Sequence, residues 1–244
     1  MVAKSPVLEV CVDDPAGLQA AIEGGADRIE LCAALALGGL TPAPGLMAAA
    51  ADCGLPVFAM IRPRPGGFLY DAGELAAALQ DVAAVRRFGL AGIVFGATGA
   101  DGRLDVAAIG RVARAAGDLP MVLHRAIDVT PDQDEALQTA IDCGYCRVLT
   151  SGGAATAADG AANITRMVQR AAGRIEIMAG GGVEAENAAR LLTAGAQDLH
   201  GSCSLIMADP APVGRLRIAG ERAQTSADRV RALRQAMDRH MRGV

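Results

Sequence analysis

The sequence predicts one (β/α)8 barrel of the TIM type that spans residues 1–244. Three observations support this class: eight short apolar runs follow one another along the chain, helical segments separate them, and a glycine follows each of the first seven helices. Eight strands that alternate with eight helices over about 250 residues are typical of a TIM barrel. An open, doubly wound sheet is the main alternative, but it normally has fewer strands and a less even repeat.

Glycines mark the ends of seven predicted helices. A glycine just past the last helical residue often adopts the left-handed conformation that closes a helix. These glycines are Gly25, Gly54, Gly89, Gly117, Gly144, Gly173 and Gly195. One apolar run precedes the first helix and another follows each glycine, which predicts strands at residues 7–12, 28–32, 57–62, 92–96, 121–125, 147–150, 174–178 and 198–201.

Four of the predicted helices begin at residues typical of helix N-termini. They are Asp14 before Pro15, Asp71 with Glu74 three residues later, Thr130 before Pro131, and Ser226. Residues 203–225 show no clear periodicity, so we expect them to form the loop between the eighth strand and the eighth helix. Barrels often carry a loop that covers a functional site at such a position.

Composition and charge argue against several classes of function. The chain has 23 basic and 27 acidic residues, and this balance disfavours a nucleic-acid-binding surface. Aromatic residues make up only 2% of the chain, so platforms for base stacking are also scarce. The sequence contains neither a signal-peptide pattern nor an apolar run long enough to span a membrane. We therefore expect a cytoplasmic protein with reduced cysteines.

Two of the predicted strands share the pattern glutamate, aliphatic residue, cysteine. Glu9 and Cys11 are followed 21 residues later by Glu30 and Cys32. Side chains alternate between the two faces of a strand, so these four lie on one face of two neighbouring parallel strands. A strand buried on both faces normally carries aliphatic residues on both. The pattern therefore indicates that one face serves a chemical function.

Residues that bind or react in this fold lie at the carboxyl ends of the strands and in the loops that follow. The candidates at these positions are Glu9, Cys11, Glu30, Cys32, Arg62, His124, Arg125, Asp128, Glu176 and His200. Buried ionisable groups must neutralise one another or meet a ligand, because burying them unpaired costs free energy. A structural ion pair is the alternative for any one of them, but such groups from at least six strands indicate a pocket.

Glycine-rich loops follow the last three predicted strands. They are Ser151-Gly152-Gly153, Gly180-Gly181-Gly182 and Gly201-Ser202. Barrels often bind a phosphate group here through backbone amides, although sharp turns between strand and helix require glycine in any case. Arg62 and Arg125 favour an anionic ligand, because guanidinium groups match the geometry of carboxylate and phosphate.

Cys11 and Cys32 are the candidate metal ligands. Adjacent strands lie about 5 Å apart, so the two sulfurs could close on one ion. Two soft thiolates with few other ligands suit Cu(I) better than Zn(II), which prefers four; burial as small apolar side chains is the alternative. Cys143 and Cys146 have the spacing of a redox motif, but they fall at the end of a helix, where no helix N-terminus activates a thiol.

Seven segments together resemble the copper homeostasis family CutC. They are LEVCVDD, GGADRIELCAALALGGLTPAPGL, MIRPRPGGFLYD, LHRAIDVTPD, RVLTSGG, GRIEIMAGGGV and LHGS, and they follow one another in the family's order. The resemblance implies a TIM-like barrel, a cytoplasmic location, a homo-oligomer and a role in copper handling. It also implies Cu(I) ligands at the positions of Cys11 and Cys32. Cys146, Cys203 and the segment 203–225 depart from the family's pattern.

Two functions are consistent with these observations. The first is a cytoplasmic Cu(I)-binding barrel that buffers or traffics copper. The alternative is an enzyme that acts on a small anionic metabolite, with or without a phosphate group, and uses His124 or a glutamate as general acid or base. The predicted partner is therefore a copper ion or a small anionic ligand, and neither nucleic acid nor a membrane. A purely structural barrel is disfavoured by the number of ionisable groups at the mouth.

Overall fold

In the part of the chain that the structure describes, eight parallel strands form the closed barrel that the sequence predicts. The structure is a computed structural model that describes residues 5–208 and 221–243. Each strand pairs with its neighbours in chain order, and the eighth pairs with the first. The strands are β1 (Val7–Val12), β2 (Arg28–Leu31), β3 (Val57–Met60), β4 (Gly92–Val94), β5 (Met121–Leu123), β6 (Arg147–Thr150), β7 (Glu176–Gly180) and β8 (Asp198–Gly201). The TIM-type fold is confirmed.

The α-helices that surround the barrel alternate with its strands. Over the described residues they are α1 (Pro15–Gly24), α2 (Pro44–Ala51), α3 (Ala72–Phe88), α4 (Val106–Ala116), α5 (Gln133–Asp142), α6 (Ala161–Ala171), α7 (Ala188–Thr193) and α8 (Ala227–Arg242). None of these helices has the length and apolar composition needed to cross a membrane.

Side-chain caps confirm three of the four predicted helix starts. Asp14, Asp71 and Ser226 each accept a hydrogen bond from an amide in the first turn of α1, α3 and α8. The start predicted at Thr130 is wrong, because the side chain of Asp132 caps α5 two residues later. The segment between β5 and Thr130 instead forms a 3-10 helix, Arg125–Val129.

A two-stranded hairpin lies between β8 and α8. β9 (Ser204–Ala208) and β10 (Glu221–Thr225) pair antiparallel. The prediction that residues 203–225 form only a loop is wrong for these strands, and residues 209–220 lie outside the described part. The sequence did not reveal β9 because its apolar residues, Leu205, Ile206 and Met207, are consecutive and exposed rather than alternating.

The barrel interior contains both apolar and charged side chains. The apolar part is a small cluster made of Cys32, Phe58, Met60, Val94, Val122, Leu149 and Met178. The strand register places Glu9 of β1 opposite Arg28 of β2 on one side and opposite His200 of β8 on the other. Charged residues of β1, β2 and β8 therefore share the interior, and the larger apolar core lies between the barrel and the helices.

Candidate functional site

A cavity of about 670 Å³ opens at the mouth of the barrel, where the strands end. Six of the predicted ionisable residues line it: Cys11, Glu30, Arg62, His124, Arg125 and His200. Four of the predicted loop residues also line it: Gly181, Gly182, Gly201 and Ser202. The structure therefore brings together residues from six strands or from the loops directly after them, and it adds Phe68 and Cys203, which the sequence did not single out.

Glu9 lies at the base of this mouth and holds His200 in place. Its Oε1 accepts a hydrogen bond from Nδ1 of His200 at 2.8 Å, and its Oε2 accepts one from Arg28. Burial alone would raise the pKa of the Glu9 carboxyl, but Arg28 and His200 outweigh burial and lower the pKa to about 2. Glu9 is therefore ionised, and it fixes the His200 ring so that Nε2 faces Glu30.

Cys11, Glu30 and His200 form a buried cluster whose sulfur, oxygen and nitrogen atoms all lie within 4.8 Å of one another. Cys11 and Glu30 are direct partners in the register of β1 and β2. Oε2 of Glu30 lies 3.7 Å from Nε2 of His200. Burial raises the pKa of Glu30, although His200 acts in the opposite direction. Burial disfavours a charged His200, but Glu30 and Cys11 outweigh it and raise the pKa of the imidazole.

Cys32 lies beside this cluster, outside the cavity wall. Its side chain is fully buried, and its thiol donates to Oε2 of Glu30 at 3.5 Å. Burial and the neighbouring Glu30 raise the pKa of the Cys32 thiol well above its usual range. The structure thus groups Cys11 with Glu30 and His200. Cys32 contacts Glu30 but does not belong to this group.

Arg62 follows β3 and is buried at the cavity wall. Its Nη1 donates to the carbonyl oxygens of Leu37 and Gly39, at 3.0 and 3.1 Å, and its Nη2 donates to that of Gly66 at 2.7 Å. Its Nε makes no hydrogen bond of good geometry with the described residues, although Arg62 lies close enough to the Tyr70 hydroxyl to act on its pKa, and no described carboxylate forms a salt bridge with the guanidinium. Arg62 therefore ties two loops together while its charge stays unpaired.

His124 follows β5 and is also buried. Its Nδ1 accepts a hydrogen bond from the amide of Ala126 at 3.1 Å, so the proton of the neutral ring lies on Nε2, which has no partner among the described residues. Burial and the nearby charge of Arg62 lower the pKa of His124 to about 3. The ring packs against Phe68, with the two centroids 4.6 Å apart. His124 is therefore a neutral hydrogen-bond donor.

Asp128 and the loop after β6 do not contribute to the cavity, contrary to the sequence prediction. Asp128 accepts hydrogen bonds from the amides of Ser151 and Gly153 and from Nε of Arg125. The amide of Gly152 donates to the side chain of Thr150. The amides predicted to bind a phosphate at residues 151–153 are therefore satisfied within the protein. Gly180, the last residue of β7, also lies outside the cavity wall.

Glu176 lies at the opposite end of the barrel from the mouth. The seventh strand starts two residues later than predicted, which makes Glu176 its first residue, and Nη2 of Arg147 donates to it at 2.6 Å. Asp198 accepts from Arg147 and from Arg28, at 2.9 and 2.7 Å. Sequence analysis missed Arg28, Arg147 and Asp198. Two of them stand two residues before Glu30 and His200 on the same strand face, and this alternation could have revealed them.

The remaining cysteines occupy separate places. Cys143 caps the end of α5 and Cys146 donates to the carbonyl of Met121 at 3.2 Å, so the pair lies at a helix end as predicted. Cys203 lines the cavity and has a positive φ of 47°, which is uncommon for a residue with a side chain. Burial and the neighbouring Cys11 raise the pKa of Cys203 to about 11.

The fold and the cavity define a TIM-barrel protein with ionisable residues around a cavity at its mouth. The sequence model of the CutC family matches residues 6–205, and the chain belongs to this family. A CutC family protein of Sinorhizobium medicae is 48% identical over 237 residues, covering 95% of this chain and 96% of its own length. One from Caulobacter vibrioides strain NA1000 is 53% identical over 203 residues, 83% of each chain.

A solved structure is similar to most of this chain. It is that of a protein described as a copper homeostasis protein CutC from Streptococcus agalactiae, with a TM-score of 0.78 and 32% identity. The match covers 81% of this chain and 98% of that one. The family resemblance of the seven sequence segments is therefore confirmed.

Proposed function

We propose that this chain acts in copper homeostasis and binds Cu(I) at the barrel mouth, through Cys11 and His200 with Glu30 as a third ligand. The observation that carries the proposal is the approach of these three buried side chains to within 4.8 Å of one another. The structural similarity to the protein described as a copper homeostasis protein of Streptococcus agalactiae supports the role in copper homeostasis.

The chemistry of these donors fits Cu(I). Thiolate is the ligand that Cu(I) favours and imidazole also suits copper, so Cys11 and His200 carry the preference for copper, whereas the carboxylate of Glu30 is a harder donor. Oε1 of Glu30 has no partner among the described residues, so it is available to an ion. Glu9 supports the site indirectly, because its hydrogen bond to Nδ1 of His200 directs Nε2 toward the metal, which must displace the proton that Glu30 and Cys11 favour on this ring.

The role of Cys32 in this proposal is separate from that of Cys11. The sequence pairs the two thiols as ligands, whereas Cys32 in the structure contacts Glu30 and is absent from the group of three. Cys32 could join an ion bound at Cys11 only if its thiol gave up the hydrogen bond to Glu30. The pair of thiols therefore stays a prediction that the same experiment can test.

The test is an anaerobic titration of the reduced protein with Cu(I) against a chromogenic chelator. Changes to residues that only support a metal ligand typically weaken metal affinity by roughly 10- to 100-fold. We expect Cys11→Ser to weaken Cu(I) affinity by more than this, because it removes a ligand. Cys143→Ser is the matched control, because it removes a thiol at the end of α5 and should leave the affinity unchanged. An unchanged affinity in Cys11→Ser would contradict the proposal, and a loss in Cys32→Ser would restore the two-thiol site.

The size of the cavity favours a second candidate function. About 670 Å³ is within the range of small-molecule sites and exceeds what one copper ion needs. The alternative is the one predicted from the sequence, an enzyme that acts on a small anionic metabolite. The reaction, the buffering or trafficking role, the cytoplasmic location and the homo-oligomer stay predictions.

A further inference from the structure

The guanidinium of Arg62 is unusual at the mouth, because it is buried without a counter-charge among the described residues. Only 6% of the residue is exposed, its three hydrogen bonds all go to neutral carbonyl oxygens, and no described carboxylate pairs with it. Burying an unpaired charge costs several kcal/mol, so proteins normally pair such a charge or present it to a ligand. Its Nε makes no hydrogen bond of good geometry, and the polar group that interacts with Arg62 from nearby, the Tyr70 hydroxyl, carries no charge that could compensate it. Both observations point to a missing negative group.

A second unsatisfied donor lies close to the first. Nε2 of His124 carries the ring proton and has no described partner, and His124 is 4% exposed. Both side chains contact the same aromatic ring: the Phe68 centroid lies 5.3 Å from Cζ of Arg62 and 4.6 Å from the His124 ring. The two side chains therefore line one region of the cavity, while their unsatisfied donor atoms lie buried just behind its surface.

The other arginines that line the cavity, Arg125 and Arg229, are not buried as Arg62 is. Arg229 is exposed to solvent, which screens its charge, and it donates to the carbonyl oxygen of Ser204 at 2.9 Å. Arg125 is half-exposed, forms a salt bridge with Asp128 at 2.8 Å and donates to Ser151. The amides of residues 151–153 are satisfied internally. An anion that enters the cavity therefore gains most at Arg62 and His124.

We propose that Arg62 and His124 form a recognition subsite for the oxyanion group, carboxylate or phosphate, of a small organic ligand that occupies the cavity. The guanidinium supplies the charge, and a small rotation of each side chain, whose donor is buried in the free protein, lets Nε of Arg62 and Nε2 of His124 each donate one hydrogen bond to the anion. Leu35, Met60 and Leu149 provide apolar wall for the rest of the ligand. Glu30, whose Oε1 is unsatisfied, accepts from a hydroxyl or amino group at the other end.

The subsite is distinct from the proposed copper site. β5, which positions His124, lies four strands from β1 around the ring of eight, so His124 and Cys11 are on opposite sides of the mouth. A variant of His124 can therefore test the anion subsite while Cu(I) affinity is measured separately. The inference goes beyond copper binding and does not depend on it.

Substitutions at His124 separate its two nitrogens. His124→Asn keeps an acceptor for the Ala126 amide but removes the Nε2 donor, whereas His124→Gln places an amide donor near the position of Nε2. Arg111→Gln removes a charge from the exposed face of α4 and serves as the remote control. Substitution of Arg62 is a less suitable test, because it would also remove the hydrogen bonds to three loop carbonyl oxygens.

The experiment measures stabilisation of each protein by two probes, inorganic phosphate and succinate, against chloride at equal ionic strength. A bound anion raises the unfolding temperature in proportion to its occupancy. We expect saturable stabilisation of the wild type and of Arg111→Gln by at least one probe. The apparent Kd should weaken about tenfold in His124→Asn and recover in His124→Gln, as expected for one hydrogen bond to a charged group.

Histidine NMR supplies an independent readout, because the chain has only three histidines. The Nε2–H signal of His124 should shift with the probe, while the signals of His240 on α8 should not. A response to phosphate alone assigns a phosphate ester, and a response to succinate alone assigns a carboxylate. Saturable binding by neither probe, or equal binding by His124→Asn and the wild type, would overturn the proposal.

Discussion

The two ends of the barrel interior contain equally buried arginines in opposite electrostatic situations. Arg28, Arg147 and Arg62 are 5%, 6% and 6% exposed, so burial does not distinguish them. At the amino end, Arg28 pairs with Glu9 and Asp198, and Arg147 pairs with Asp198 and Glu176. At the mouth, Arg62 has carbonyl partners only.

This difference indicates which charges serve the fold and which serve a ligand. A buried charge that pairs with two carboxylates is compensated within the protein, and its removal would lower the free energy of unfolding. A buried charge without a counter-charge carries an electrostatic cost that a bound anion would offset. Partners, rather than burial or residue type, therefore distinguish a structural arginine from a binding one.

The largest effect should follow from breaking the network at the amino end. Asp198 is 1% exposed and accepts hydrogen bonds from both Arg28 and Arg147. Asp198→Ala leaves two buried guanidinium groups short of a carboxylate, which should lower the free energy of unfolding by about 3–5 kcal/mol. Urea denaturation followed by circular dichroism measures the change.

An exposed ion pair provides the control for this prediction. Asp118 pairs with Arg86 at 2.9 Å, but its side chain is 90% exposed. Solvent screens such a pair, so Asp118→Ala should change stability little. If the two alanine variants were equally stable, the network at the amino end would be no more important than a surface ion pair.

A second prediction compares Gly92, the first residue of β4, with Gly96, two residues after its end. A Cβ added at Gly92 would lie 2.3 Å from the Phe58 ring and 2.7 Å from the backbone oxygen of Pro120. One added at Gly96 would lie 2.7 Å from the His124 ring. The Phe58 ring stacks near both arginines of the amino end, and the backbone oxygen cannot move aside, whereas His124 borders an open cavity.

Gly92→Ala should therefore cost more stability than Gly96→Ala. Overpacking typically costs about 1–3 kcal/mol, and we expect Gly92→Ala near the upper limit and Gly96→Ala near the lower one. Gly96→Ala should also displace the His124 ring, which histidine NMR would detect as a shifted Nε2–H signal. A larger stability loss in Gly96→Ala than in Gly92→Ala would contradict the interpretation that the amino end is rigidly packed and the mouth is open.

Local sequence signals predicted the fold well because they depend on neighbouring residues. The periodicity of apolar runs located all eight barrel strands, and the caps at Asp14, Asp71 and Ser226 located helix starts. A predicted helix start was wrong where a nearby residue could also cap the helix: Asp132, rather than Thr130, caps α5. A two-residue difference in where β7 starts moved Glu176 away from the mouth.

The candidate site could be predicted only in part, because it depends on contacts between distant residues. The sequence grouped Cys11, Glu30, Arg62, His124 and His200 at one mouth, since the fold determines where strands end. It could not show which of these groups lacks a partner. That property depends on carboxylates and amides elsewhere in the chain, such as the hydrogen bonds that Asp128 accepts from the loop after β6.

The smallest expected effect is a pH dependence that separates the two ends of the barrel. Burial and Arg62 lower the pKa of His124 to about 3, whereas an unfolded histidine titrates near 6.5. The unfolded chain therefore binds more protons than the native protein between these values, so stability should fall as the pH decreases through this range. Glu9, with a pKa of about 2, contributes stability that is lost only below about pH 4.5.

The window between about pH 6.5 and pH 5 therefore reports on the mouth and not on the Glu9 carboxylate. His124 should account for roughly 1–2 kcal/mol of lost stability across that window in the wild type, and His124→Asn should lack this part. Because Glu30, His200 and the amino-end network are common to both proteins, the difference between the two pH profiles isolates His124. Parallel profiles would mean that the buried ring accepts a proton without cost, and His124 could then not be the neutral donor on which the anion subsite depends.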